Sequence, residues 1–390
     1  MAVDSKVIER YLLLGLRLGR HIDGLVDAYY GPAELSRRVA DEPLPAASEL
    51  AREAAGLRRE LKRDTSPRAR WLDGQVDGLA AVAERLEGRP VSYTEEVRRC
   101  YGVEPEIVDE DELVAAREEL DAILPGNGAV RERYQKWQSA LELPPDRILT
   151  ALERLNTELR ARTRDLFGLP DSESVEIETV SNQPWAGFNY YLGRLRSRVV
   201  INTDVPTRSR FLVLAAAHEA YPGHHTEHAW KETMLIRERG QLEESIQMIG
   251  TSQCLVTEGI ATNALSALGP ETEVRCEAMM REMGFGYDIA LGQAIEKAAE
   301  PNSRLATTAA WMVHEQGRDI EEVKAFALQW SLEPEHRVLK HFEFLMHPVW
   351  RAYNVTYVAG ERLIKEWSRG DSKRFERLLK EQLTPSDLAS

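Results

Sequence analysis

The sequence predicts a mostly α-helical protein with one small β-sheet. Three observations carry that expectation. Apolar residues recur at helical spacing from the start, as Val7, Tyr11, Leu14 and Leu18 do. Turn chemistry at Gly31-Pro32 and in "LPGNG" breaks the helical pattern. Only one stretch, about residues 175–203, changes to the alternation of strands.

After the first helix the chain breaks at Gly31-Pro32, where Pro32 suits a new first turn. Residues 72–86 and 95–101 read as further helices. In "EPEIVDEDELVAAREELDAIL" a helix starts near Asp109 or Asp111, since acidic side chains favour a helix N-terminus. "LPGNG", residues 124–128, is the clearest break in the first third. It divides an N-terminal helical subdomain, 1–125, from a second helical domain, 126–390, the two expected to fold as one cooperative unit. A long amphipathic helix begins near Pro145. "VEIETV" then alternates apolar and polar, and "RVVINT" is β-branched and extended. From Thr207, a plausible N-cap, the chain returns to helix. Further helices are expected around 243–267, 272–297, 303–316, 320–330, 334–345, 348–368 and 372–383.

The composition narrows the functional classes. The chain has 390 residues, 43% of them hydrophobic, enough for a sizeable core. Its net charge is −14, and no Lys/Arg cluster with interleaved aromatics stands out, which argues against nucleic acid as partner. The longest apolar run, "FLVLAAA", falls far short of the roughly 20 residues of a bilayer span. Cys100, Cys254 and Cys276 are scattered and odd in number, so no disulfide framework is expected. The N-terminal stretch spreads charges through its apolar residues, unlike a secretion signal. These features predict a cytoplasmic setting and leave the oligomeric state open.

The chemistry concentrates in "AAAHEAYPGHHTEHAW", residues 215–230, which holds His218, His224, His225 and His228. His218-Glu219 opens like a zinc-protease helix, in which a second histidine four residues on shares the face of the first. Pro222 stands there instead. On an ideal helix, His224 lies about 120° off the His218 face, and His225 is in phase but about 10.5 Å along the axis. Pro222 cannot continue a regular helix, and Gly223 permits unusual dihedrals. Looping out two residues would let His224 occupy the usual position; looping out three would do so for His225. The smaller distortion favours His224, leaving His225 as an alternative ligand or a supporting residue. A third ligand is expected from Glu258 in "VTEGIATNAL", where Gly259 and Ala261 allow a close helix crossing. His218, His224 and Glu258 would then make a two-His, one-Glu Zn2+ site, with Glu219 as general base.

At these residues the chain resembles a bacterial family known as domain of unknown function 885. Its mark is His-Glu-x-x-Pro-Gly-His-His, here residues 218–225, followed by Glu-Gly-x-Ala, here residues 258–261. A late Tyr-x-x-Gly, residues 357–360, is similar as well. The resemblance covers about residues 181–360 best. Many relatives carry Glu-Gly-Trp-Ala where this chain has Ile260. The resemblance implies a large helical zinc-peptidase-like fold of the gluzincin type, like the zinc carboxypeptidases and thimet-like peptidases, with the small sheet beside the active-site cleft. It implies a hydrolase and no particular substrate.

Other residues complete the expected site. Tyr357, helped by the resemblance, would stabilise the oxyanion, and Tyr353 four residues earlier would share its face. Arg351 could hold a substrate carboxylate, and His314 could line the cleft. Tyr190 and Tyr191 could flank a substrate added to a sheet edge, beside Trp185 and Phe188. Asp27, Tyr29 and Tyr30 could form part of the cleft wall. The expected function is a metallopeptidase acting on a small peptide or amide. The alternatives are a zinc hydrolase of a non-peptide amide or ester, or a catalytically inactive metal-binding or interaction protein.

Overall fold

The structure, a computed structural model, describes residues 3–183, 185–348 and 350–389. It is mostly helical with two small sheets. No helix among the described residues is long and apolar enough to cross a membrane. The first helix, Ser5–His21, starts where the Asp4 side chain accepts the Lys6 N–H. Pro67–Leu86 starts at Ser66, whose hydroxyl accepts the Ala69 N–H, with Pro67 in its first turn.

The strands are β1 (Val26–Tyr29), β2 (Ser174–Val180), β3 (Gly187–Tyr191), β4 (Arg196–Asn202) and β5 (Ile246–Met248). The predicted β region forms a three-stranded sheet in the order β2-β4-β3, parallel between β2 and β4 and antiparallel between β4 and β3. β3 is therefore an edge strand. β1 and β5 form a second, antiparallel ribbon, which corrects the expectation of a single β region. It also corrects the helix expected over 243–267. That stretch is a 3-10 turn Leu242–Ser245, then β5, then helices Ser252–Thr262 and Ala264–Ala267. The helix expected over 272–297 is likewise two, Pro270–Glu282 and Ile289–Ala298, parted near Gly284 at φ +90°. The N-cap expected at Thr207 falls on Arg208.

The cores mix both halves of the chain. Tyr11, Leu14, Leu18, Leu57, Trp71 and Leu79 of the N-terminal helices pack with Ile246 and Met248 of β5. A second core joins Leu155, Leu159, Ile201, Leu212, Val256 and Ile364. This second core holds the helices Ser209–Glu219 and Ser252–Thr262 against each other.

The helix Ser252–Thr262 crosses Val355–Ser368 almost backbone to backbone. A Cβ on Gly259 would stand 2.4 Å from the Gly360 carbonyl oxygen, and one on Gly360 would stand 2.7 Å from that of Leu255. The glycine of the late Tyr-x-x-Gly thus serves this crossing, beside which Tyr353 meets Glu258 and Tyr357 meets Tyr353. Gly259→Ala is expected to lower stability by about 1–3 kcal/mol, since backbone atoms cannot swing aside as side chains can. Chemical denaturation of the purified variant measures it, and an unchanged midpoint would count against this crossing.

Candidate metal centre

Burial of Leu212, Val213 and residues 215–217 anchors the helix Ser209–Glu219 and delivers His218 and Glu219 to its last turn. The helix breaks at Ala220 (φ −117°, ψ −84°), continues through a cis Tyr221–Pro222 bond and Gly223 (φ −73°, ψ −136°), and resumes as His224–Lys231. Backbone hydrogen bonds measure the displacement. The Gly223 N–H donates to the Ala217 carbonyl at 2.9 Å, and the Thr226 N–H donates to that of Ala220 at 3.3 Å. Each spans six residues rather than the four of an α-helix. Two residues are looped out, and the helical register closes around them.

The loop-out brings His224 to His218, with Nε2 to Nε2 at 3.1 Å. Glu258 stands opposite, 3.5 Å from His218 Nε2 and 3.8 Å from His224 Nε2. Tetrahedral zinc with bonds near 2.0–2.1 Å needs donors about 3.3 Å apart, so the spacing fits. Glu219 also offers an oxygen within 4.8 Å of the two histidine donors. Glu258 is the better third ligand. It is buried, sits close to both imidazoles, and leaves Oε2 without a hydrogen-bond partner among the described residues. A buried carboxylate oxygen lacking a partner is costly, and a cation between these three groups would satisfy it.

The local electrostatics suit a cation. Burial pushes the Glu258 carboxyl up, but His218, His224 and Tyr353 outweigh that and hold it at about 2. Burial lowers His224 to about 4, which keeps its imidazole neutral and able to ligate. Glu219 is raised to about 7, chiefly by burial, with Glu258 and Asp27 adding to the effect. Tyr353 donates its O–H to Glu258 Oε1 at 2.7 Å, and Tyr357 meets Tyr353 oxygen to oxygen at 3.2 Å. Tyr357 lines the cleft. Burial raises it well above the ordinary tyrosine value, which keeps it a proton donor. Tyr353→Phe is expected to weaken zinc binding by about 10–100-fold, the effect of removing a hydrogen bond that orients a ligand. Competition against a chelating dye reads this directly, and unchanged affinity would refute the role.

The cleft is walled by Gly187, Phe188 and Asn189 of β3 on one side and by Asp27, Gln247 and Met248 of the β1–β5 ribbon on the other. A Cβ on Gly187 would stand 3.6 Å from Glu219 Oε1, so the β3 backbone passes directly beside that carboxylate. The Asn189 side-chain amide donates to the Glu219 carbonyl, tying β3 to the motif.

Other predicted residues lie elsewhere. His225 is fully buried and bonds Ser197 Oγ at 2.8 Å and Glu173 Oε2 at 2.9 Å. Glu173 also accepts the Tyr221 hydroxyl, so this pair anchors the looped-out segment, and both ring nitrogens of His225 are engaged away from His218. Arg351 does not face the cleft as a substrate clamp. Its Nε donates to Glu96 Oε2 at 2.6 Å, in a pair shared with Arg85. His314 is spent on the Leu345 carbonyl at 2.8 Å and also lies off the cleft. Tyr191 is buried and donates to Glu232 Oε2 at 2.6 Å. Tyr190 packs on Phe188 at 4.6 Å and under Arg198 at 4.8 Å within the hairpin, whereas Tyr191 ties the hairpin to Glu232, and neither lines the cleft. His228 lines the cleft behind His224, and burial and Lys231 hold it neutral at about 3.

Asp27 is the residue that the sequence signalled least. The register shifts between Val26, opposite Met248, and Ala28, opposite Gln247, so Asp27 is the extra residue of a β-bulge. A bulge turns a side chain out of strand alternation, and here it lines the cleft. The turn chemistry of "VDAYYGP" was the only local hint.

No protein-family model matches the chain, and no match was found among curated proteins. The family resemblance therefore rests on the motif residues themselves. Two solved bacterial structures are similar in fold. One, from Colwellia psychrerythraea, is described as a "putative lipoprotein" and aligns with TM-score 0.53 and 15% identity over 88% of this chain. The other, from Shewanella oneidensis, carries the same description with function unknown, and aligns with TM-score 0.50 and 11% identity over 91% of this chain. This chain spans 66% of the first neighbour's length and 75% of the second's. At these identities the likeness concerns the fold alone.

Proposed function

We propose that the protein is a zinc-dependent metallopeptidase that cleaves short peptides. The observation that carries this reading is the two-residue loop-out. It sets His224 Nε2 3.1 Å from His218 Nε2 while keeping Glu219 in the same cleft. His218, His224 and Glu258 would hold the ion. When bound, zinc polarises a substrate carbonyl and lowers the pKa of water in the site.

The protein's own groups supply the rest. Glu219, raised to about 7, takes a proton from attacking water and returns it to the leaving nitrogen. Tyr357 donates its O–H to the developing oxyanion. Tyr353 keeps Glu258 oriented. The free edge of β3 offers backbone groups to an extended substrate beside Glu219. That edge favours a peptide over a compact ester or amide.

Metal analysis of protein purified without chelators, joined to digestion of a peptide library and a panel of amides and esters, tests this. Stoichiometric zinc and peptide cleavage support it. Intact peptides with ester or amide turnover favour a non-peptide hydrolase, and bound metal with no turnover favours a metal-binding protein. Absence of zinc removes the reading. The proposed setting is cytoplasmic, supported by three free cysteines. The neighbours' description points to the cell envelope, and fractionation of the native host decides between the two.

A further inference from the structure

We propose that Asp27 is the residue that recognises a cationic group on the substrate, an ammonium or guanidinium such as a peptide's free amino terminus. The inference rests on the peptidase reading of the same cleft. Asp27 owes its position to the bulge, because regular pairing across β1 and β5 would leave no extra residue to turn aside. It is solvent-accessible, lies on the cleft wall, and has no ion pair or hydrogen bond among the described residues. Carboxylates elsewhere in the fold are commonly neutralised, as Glu96 is by Arg85 and Arg351, and Glu243 by Arg68.

The charge of the cleft points to the same partner. Its described lining carries three carboxylates, Asp27, Glu219 and Glu258, and neither lysine nor arginine. Arg351, the nearest candidate in sequence, is held by Glu96. With a divalent ion on His218, His224 and Glu258, the carboxyl groups left facing a substrate would be Glu219 and Asp27. A substrate carboxylate finds no side-chain cation here, whereas an ammonium finds Asp27 unengaged. The protein mass around the cleft, and Glu258, push the Asp27 carboxyl up to about 7 even though solvent reaches it. A cation arriving beside it would relieve that strain. The β3 edge and the Asp27 wall face the same cleft, so one substrate can engage both.

The test uses zinc-loaded full-length protein and matched short peptides, each with a free or acetylated amino terminus and with lysine or norleucine. The wild type is expected to prefer the cationic member by about tenfold or more in kcat/KM, as one charge-assisted hydrogen bond would give. Asp27→Asn should bring the ratio close to one, and Asp27→Lys should invert it, with zinc stoichiometry unchanged in both. A preference confined to acetylation assigns the amino terminus, and one confined to lysine assigns a side chain. A ratio that survives in Asp27→Asn, or no preference in the wild type, overturns the assignment. Calorimetric binding of the same peptides to zinc-loaded Glu219→Gln separates the two proposals. Cationic preference in binding without wild-type turnover keeps Asp27's role and removes the peptidase reading. Equal affinity for all four peptides overturns Asp27's role whatever the turnover.

Discussion

Glu219→Gln lowers kcat on cleaved peptides by about 10²–10⁴-fold, the usual contribution of a positioned general base, while zinc stays stoichiometric. The glutamine keeps the size of the side chain but cannot accept a proton at neutral pH. The proposed ligands are separate groups. His218, His224 and Glu258 approach one another within 3.1–3.8 Å without it. Glu219 is also poised for the task, since burial raises its carboxyl to about 7. Its place beside the β3 backbone, fixed by the Asn189 bond to its carbonyl, sets it where a substrate amide would lie. Single-turnover assays and metal analysis on the same preparation measure both quantities. Retained turnover would end the base assignment. Loss of zinc together with turnover would instead make Glu219 a ligand.

Gly223→Ala abolishes stoichiometric zinc and lowers stability by about 3 kcal/mol or more, at the upper end of overpacking costs. A Cβ at this position would stand 1.9 Å from the His218 carbonyl oxygen and 2.6 Å from that of Ala217. Both are backbone atoms of the ligand-bearing turn, so no side chain can give way. Relief requires moving Gly223 away from its bond to Ala217, and that bond closes the register that delivers His224. Gly56→Ala is the control. It lies within the helix Ala47–Leu61, and its nearest contacts would be 3.6 and 3.8 Å from side-chain nitrogens, so alanine there is neutral or better. A Gly223→Ala variant with normal zinc content and midpoint would disprove the loop-out as the source of the site.

Much of the site was legible because its chemistry is local. His218, Glu219 and the Pro-Gly step lie within six residues, and proline in a helix leaves few options. The same reasoning marked Glu258 through the glycine beside it. Arg351 and His314 misled because a charged or imidazole group reads alike whether it faces a cleft or a buried partner. Only Glu96 and the Leu345 carbonyl, remote in sequence, decide that. Tyr190 and Tyr191 failed for the same reason, since strand alternation tells that two neighbours face opposite ways but not which way the cleft lies. β5 was read as helix because three residues carry no period, and its partner β1 lies at the far end of the chain.

By itself the sequence determined the mostly helical class, the place of the three-stranded sheet, and a histidine pair that an unbroken helix could not bring together. Those properties follow from periodicity and from backbone chemistry within a few residues. Tertiary structure alone decided that His224 rather than His225 meets His218. The choice depends on Glu173 and Ser197, which claim His225, and on a register closed by the bond from Gly223 to Ala217. It alone turned Asp27 into the cleft, because a bulge exists only relative to the strand it pairs with.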